Sequence, residues 1–367
     1  MKLLVLAQTP PPLHGQSLMV QTLVEGLPML GLAVCHVPLQ LSRDHADIGR
    51  WRPGKVVSAI QAGLRARRLV RREGCDTLYY VPAPGKRGAL WRDLVVLALA
   101  RPACPRLVLH WHAVGLGEWL RTCATAAERM LARRGLGGAD LAIVLAESLR
   151  ADAVRFAPRR LVVVPNGIAA PCPGFERPPR TANPFRVLFL GSCSEEKGLF
   201  VAAEAVLAAN SGAGASPAAP AFILTAAGAF TCREDEARFR ALVQNSAGCL
   251  RHAGSVTGEA KHALLAGSDC LCMPTAYPHE GQPLVLLEAL AYDLPIVATR
   301  WRAIPESLPA AYPHLVAPGQ PAEVAGHLAA IAQHPPPSGS LRQHFLAHFT
   351  ARQHLAALAA ALTTPAG

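Results

Sequence analysis

Several chemistries are excluded by what this sequence lacks. Aromatic residues make up only 5% of its 367 positions. Its basic stretches carry no interleaved aromatics and no nucleic-acid-binding motif, so a nucleic-acid partner is not expected. Ten cysteines occur, yet no two are spaced Cys-x-x-Cys. A zinc ribbon or thioredoxin-type site is thereby disfavoured, and reduced thiols in cytoplasm are expected. Asp-x-Asp is absent and no carboxylate cluster has metal-ligand spacing; neither a metal nor a resident cofactor is expected. Gly115-Leu116-Gly117 runs on to Leu120 rather than to a third glycine, against a nicotinamide dehydrogenase. Apolar runs such as Leu94–Ala100 fall far short of the ~20 residues that span a bilayer. Met1–Ala7 is too short for the apolar region of a signal peptide and reads as a buried first strand.

Lysine is scarce too, at five residues against 31 arginines. The cations are unevenly spread. Residues 1–168 carry a net charge of +12 and residues 169–367 one of −1. Arg65, Arg67, Arg68, Arg71 and Arg72 fall in a helix-like stretch, where Arg65, Arg68 and Arg72 share one face. Such a face suits an anionic membrane surface or anionic acceptor; the plainer reading is a solvated basic helix.

The length suggests two domains. Lys2–Ala7, Ala33–Val37, Thr77–Val81, Arg106–His110, Leu141–Leu145 and Leu161–Val164 read as short apolar strands. Helical patterns lie between them, one from about Ser17, which is suited to an N-cap, and one over Gly117–Arg134. This alternation predicts an α/β fold with parallel sheets covered on both faces. Residues 1–168 form the first expected domain. Residues 169–184 form a linker with five prolines over Ala170–Pro184, and residues 185–344 the second domain. Asn210–Pro220 reads as a surface loop.

The densest signal is Glu280-Gly281-Gln282-Pro283-Leu284-Val285-Leu286-Leu287-Glu288. Pro283 suits the first turn of a helix. Glu280 then lies on the loop before it, and Glu288 interrupts an apolar helix where a carboxylate needs a reason. The free amides at a helix start form an anion site. One carboxylate near a sugar and the other near a ribose would flank a diphosphate.

This segment resembles the Glu-x7-Glu motif of the retaining glycosyltransferases of family 4, which have the GT-B fold: two Rossmann-like doubly wound sheets facing across a cleft. The likeness runs on through Ala289–Thr299 to Ile304-Pro305-Glu306. Upstream it includes Val187–Gly191, Glu196-Lys197-Gly198, Gly254-Ser255-Val256 and Ala266–Pro274. Pro12-Leu13-His14-Gly15, His110-Trp111-His112 and Val164–Ile168 fit more loosely. The resemblance implies a donor-binding second domain and an acceptor-binding first domain, with a final helix, about 345–362, returning to the first. It implies a nucleoside-diphosphate sugar as donor and a glycan or lipid-linked acceptor. The basic face of the first half points to a peripheral place on the inner face of the cell membrane, and a composition rich in alanine, arginine and proline, as in high-GC bacteria, points to surface polysaccharide or glycolipid synthesis.

By the same resemblance, Lys197 holds the diphosphate, Glu288 the ribose, and Glu280 and His112 the sugar. Gly15, Gly191, Gly281, Gln282, Leu284 and Val285 complete the donor set, and His14 and His110 are acceptor candidates. Asn166-Gly167 reads as a turn at the domain junction. The chain departs from the family pattern in three places. Ser192-Cys193 stands where an arginine is common, Gln282-Pro283 where phenylalanine and glycine are common, and Asp293 where glycine is usual. Aspartate tolerates the left-handed backbone of a tight turn. The missing arginine also leaves room for a non-catalytic scaffold subunit; an epimerase or inverting transferase fits the glutamate pair less well.

Overall fold

The computed structural model describes residues 1–39, 53–170, 174–178, 184–212 and 220–364. Most of the prolines of the expected linker and most of the expected 210–220 loop lie outside the described residues. The chain forms two compact units. One comprises Met1–Gly167, His279–Gln282 and Ala351–Gly367; the other comprises Ile168–Pro278 and Pro283–Thr350.

In the first unit, β1 (Lys2–Ala7), β2 (Ala33–Pro38), β3 (Thr77–Tyr80), β4 (Arg106–Trp111), β5 (Leu141–Val144) and β6 (Leu161–Val163) form an all-parallel sheet. Its order is β2-β1-β3-β4-β5-β6. Its strands are apolar on both faces because helices cover both. Leu4, Leu6, Leu78, Leu107 and Leu109 face α2 (Pro53–Glu73) and α3 (Arg87–Ala100). Leu3, Val5, Tyr79 and Val108 face α1 (Gly15–Gly26) and α13 (Ala351–Thr363), which delivers Leu358 and Leu362.

The second unit repeats the plan with β7 (Phe185–Leu190), β8 (Phe222–Ala227), β9 (Leu250–Gly254), β10 (Cys270–Met273), β11 (Ile296–Thr299) and β12 (Leu315–Val316). The order is β12-β11-β10-β7-β8-β9. Counted from β7 this is 3-2-1-4-5-6, the order of dinucleotide-binding folds, whose ligand crevice opens where the order reverses, here between β7 and β10. Val187, Phe189, Cys270 and Cys272 pack under α7 (Leu199–Gly212), α8 (Arg233–Gln244) and α11 (Pro321–Gln333). Leu188, Leu271 and Met273 pack under α9 (Gly258–Gly267), α10 (Leu284–Ala291) and α12 (Ser340–His348). The α/β class with parallel sheets is thus as the alternation implied, and the two doubly wound sheets are as the resemblance implied.

Three local expectations need correction. The first helix begins at Gly15, not near Ser17. His14 is the N-cap: its Nδ1 accepts from the Ser17 amide at 3.2 Å, while Ser17 Oγ accepts from the His14 amide at 3.0 Å. A reciprocal capping box therefore places Ser17 three residues further in. The 117–134 pattern is two helices, α4 (Leu116–Thr122) and α5 (Ala126–Leu136). They break where Thr125 and Glu128 form a second capping box. Pro283 is the N-cap of α10, with extended backbone, rather than its first helical residue. Asp293 does adopt the left-handed region, at φ 50°, and its carboxylate accepts from the amides of Gly339, Leu341 and Arg342 at the start of α12.

The Gly115-Leu116-Gly117 amides are already occupied. The carboxylate of Asp152, on α6 (Arg150–Val154), accepts all three at 2.6, 3.1 and 2.8 Å. An unmade bond to a buried amide costs that group's desolvation. Asp152→Ala should therefore lower stability by about 2 kcal/mol, read as a fall in the urea midpoint of the first unit; an unchanged midpoint would refute the capping role.

Candidate active site

Each unit carries its own group of candidate site residues at the carboxyl edge of its sheet. In the second unit, β7 is followed by Gly191, whose φ is 145°. Gly228, after β8, lies so close that a Cβ there would collide with the Gly191 carbonyl. The loop that follows is drawn in by Cys193, which is buried and bridges to Phe230. Burial pushes the Cys193 thiol up to about 12, so it is an inert structural donor and not a replacement for a cation. The loop leads to Lys197, two residues before α7. Gly198, at φ 84°, lets the turn press against the Pro274 carbonyl, where any Cβ would clash.

Lys197 points its ammonium over Tyr277, 4.4 Å from the ring centroid. A ring face attracts a cation and restricts where it sits. Tyr277 is itself held. The Ala276 amide donates to the Glu196 carbonyl at 2.9 Å, and Trp301 Nε1 donates to the Tyr277 carbonyl at 2.8 Å. Leu284 and Val285 open α10 and are half-buried, and Pro283 supplies no side-chain cap. Glu288, one turn on, is half-buried and takes a 2.6 Å ion pair from Lys261 on α9. The carboxylate in the apolar helix thus has a fixed partner and two oxygens with further acceptor capacity.

In the first unit, β4 delivers His110 and His112 to its carboxyl end. The buried Tyr79 hydroxyl meets Nδ1 of His110. Burial drives the Tyr79 phenol well above its ordinary range, so it remains a donor. The proton of a neutral His110 is then on Nε2, which is buried and has no hydrogen-bond partner among the described residues. The His110 and His112 rings are 4.1 Å apart, and His354 of α13 stacks at 6.5 Å from His110. His354 Nδ1 is held 2.6 Å from the Pro165 carbonyl. Burial is the main cause that lowers all three. His110 falls well below the ordinary imidazole range, His112 to about 3 and His354 to about 4. Neighbouring imidazoles add to this, with His354 and His14 acting on His112. His112 is therefore a neutral imidazole at neutral pH, able to donate or accept but not to supply a positive charge.

His279–Gln282 belongs to this same unit. His279 Nδ1 lies 2.8 Å from the Val114 carbonyl, and a Cβ on Gly281 would collide with the His112 carbonyl. Gln282 binds Asn166 twice: its Oε1 accepts the Asn166 amide at 2.6 Å, and its carbonyl accepts Asn166 Nδ2 at 3.2 Å. Glu280 sits between these anchors, 6% exposed. The structure thus brings Glu280, Gly281, Gln282 and His112 together, with His110 behind. His14 caps α1 within electrostatic reach of His112, and Gly15 opens that helix, exposed. Tyr277, Lys261 and His354 went unpredicted. Lys261 is one of only five lysines, a usable signal, whereas His354 is brought in by the fold across nearly 200 residues.

Two parallel sheets in these orders, each with its loops at the carboxyl edge, define a GT-B architecture. Sucrose-phosphate synthase from Thermosynechococcus elongatus superposes with a TM-score of 0.71 at 16% identity, covering 98% of this chain and 97% of that one. HepE of Anabaena, in complex with UDP-glucose, gives 0.69 at 15%, covering 99% and 100%. The lipopolysaccharide outer core galactosyltransferase WaaB gives 0.65 at 12%, covering 99% of each. At such identities the likeness carries the fold. A search of curated proteins gives no match. Residues 184–334 match the family model of glycosyl transferases group 1. Over that segment the chain resembles a glycosyltransferase domain of that group.

The histidine cluster sets a pH dependence. Above pH ~6.5 both folded and unfolded chains leave these imidazoles neutral. As pH falls below that value the unfolded chain takes up protons that folded His112 and His354 refuse until about 3 and about 4. Stability is fully present above the ordinary imidazole value and falls as pH drops, each histidine approaching ~1.4 kcal/mol per pH unit. Thermal midpoints measured from pH 7.5 to 5 should fall, and His354→Asn should make the slope shallower. A parallel slope in that variant would refute the assignment.

Proposed function

We propose that this protein is a retaining glycosyltransferase. It moves a sugar from a nucleoside-diphosphate sugar to a glycan or lipid-linked acceptor in the synthesis of surface polysaccharide or glycolipid. The observation that carries this reading is the second unit's Rossmann-order sheet with Lys197 and Glu288 on loops and helices beside its switch point, in a segment that matches glycosyl transferases group 1. That HepE binds UDP-glucose and that WaaB is a galactosyltransferase of lipopolysaccharide support the donor and acceptor classes.

Breaking a sugar–phosphate bond leaves negative charge on the departing diphosphate and positive charge on the sugar carbon. Fixed cations and amides on the diphosphate lower that barrier, because they need not reorganise as the charge grows. Lys197, oriented by Tyr277, and the Leu284 and Val285 amides at the start of α10 do this. Gly191 lets the first loop approach the phosphates closely. Glu288 accepts from the ribose hydroxyls, with Lys261 keeping it aimed. Glu280 stabilises positive charge on the donor sugar, neutral His112 exchanges a hydrogen bond with a sugar hydroxyl, and Gly281 and Gln282 offer main-chain contacts. His14 and Gly15 meet the acceptor and the donor phosphate at the first loop, with His110 behind His112. Front-face departure and attack accounts for retention without a carboxylate nucleophile. None of these steps calls on a metal.

Lys197→Ala should abolish transfer while leaving the fold intact. UDP-, GDP- or ADP-sugars should raise the melting temperature of the parent and much less that of the variant, because a ligand that binds only the folded state stabilises it. An active Lys197→Ala enzyme would remove the phosphate role. A parent that binds a nucleotide sugar yet neither transfers nor hydrolyses it would favour the scaffold reading.

The same proposal puts the protein on the inner face of the membrane. Among the described residues no helix is long and apolar enough to cross one. The support is α2. Val57, Ile60 and Leu64 are 54%, 40% and 40% exposed and continue along one stripe into Arg68 and Arg71, with Arg65 and Arg72 beside them, all exposed. An apolar stripe flanked by cations suits an anionic lipid surface, each cation contributing about 1 kcal/mol near the surface. Arg65→Glu, Arg68→Glu and Arg72→Glu together should weaken sedimentation with phosphatidylglycerol vesicles at least tenfold; equal sedimentation would defeat the membrane claim.

A further inference from the structure

The family pattern commonly has phenylalanine at the position of Gln282, and here the substitution has a use. Gln282 is 7% exposed and Asn166 is 3% exposed. Two polar side chains so deeply buried need partners, and each is the other's. The Asn166 amide donates to Gln282 Oε1 and Asn166 Nδ2 donates to the Gln282 carbonyl. This bracket ties residue 282 by side chain and main chain together. His279 is tied separately to the Val114 carbonyl, and Gly281 is pressed on the His112 carbonyl. Of the four residues His279–Gln282, Glu280 is thus the one whose neighbours on both sides are anchored.

Asn166 is itself held from behind. Its preceding carbonyl, on Pro165, is bonded to His354, which stacks on His110. A relay of α13, β6 end and bracket therefore fixes the chain that carries Glu280. Asn166 Oδ1 stays buried without a partner among the described residues. A purely structural asparagine would be expected to satisfy it, and an orphan of this kind is where a native protein gives up stability for function.

We propose that Asn166 and Gln282 are a positioning pair for the transfer reaction: their bracket sets the place of the Glu280 carboxylate without either side chain holding the nucleotide. This rests on the proposed glycosyl transfer and on Glu280 acting at the donor sugar. A misplacement of about 1 Å can cost on the order of 100-fold in rate, while a diphosphate held by Lys197 would bind as before. The pair therefore acts on kcat and leaves nucleotide affinity alone.

Gln282→Met keeps size and removes the Oε1 acceptor, and Asn166→Leu keeps size and removes the Nδ2 donor. Each is compared with the parent in three measurements: kcat and KM with a UDP-sugar, the thermal shift given by UDP alone, and hydrogen exchange of the peptide spanning 279–282. The proposal expects kcat to fall at least about tenfold, the UDP shift to stay the same, and exchange of 279–282 to quicken. The two variants together should lose less than the product of their single losses. Unchanged exchange in both variants overturns the bracket. Quickened exchange with kcat intact, or a loss confined to KM, overturns the positioning role. A parent inert toward every nucleotide sugar defeats the proposed function and the positioning role with it, while the exchange measurement still decides whether the bracket exists.

Discussion

The rest of the molecule depends on the requirement that a parallel sheet be covered on both faces. Each strand must return through a crossover helix before the next can pair. All strands of a sheet then point the same way, and their outgoing loops collect at a single edge. Apolar side chains fill the two faces of each strand, Leu3 and Val5 to one side and Leu4 and Leu6 to the other. The polar candidates gather at or beyond strand ends. Lys197, Tyr277, His112 and Asn166 all follow strands rather than lie within them, and His110 lies near the end of its own. The chemistry is placed by the same rule that makes the core.

A second theme is how closely main chain meets main chain at these edges. Gly198 against Pro274, Gly228 against Gly191 and Gly281 against His112 each leave no room for a Cβ. These contacts exist because glycine removes the atom that would separate the two backbones. Each brings a loop that carries a candidate group, Lys197, the end of β7 or Glu280, to within reach of a second strand's loop. Side-chain bonds then fix what the close approach permits, as in the Lys261–Glu288 pair and the Gln282–Asn166 bracket.

Much of the fold could be read directly from the sequence. The six strands of the first unit fall within one residue of the apolar runs, because the central four, buried on both faces, must be apolar throughout. The left-handed turn at Asp293 was readable as well. The split of the 117–134 stretch was written in Thr125-Ala126-Ala127-Glu128, a capping-box pattern that periodicity alone passes over. Partners from distant parts of the chain were not readable. Nothing local in His354 says that it will stack on His110, nor in Asn166 that it will bind Gln282; those contacts follow from sheet order and crossover paths. The aromatic seat of Lys197 was hidden for the same reason, since Tyr277 lies 80 residues on.

The place of α13 has a consequence for how the molecule is made. Leu358 and Leu362 complete one face of the first unit's core, and His354 completes its imidazole cluster, although the strands they cover lie between Lys2 and Val163. During synthesis the early sheet must therefore wait, one face covered only in part by α1, through the whole translation of the later unit. A ribosome-bound nascent chain would expose that face to chaperones until the segment beyond residue 350 emerges and closes it.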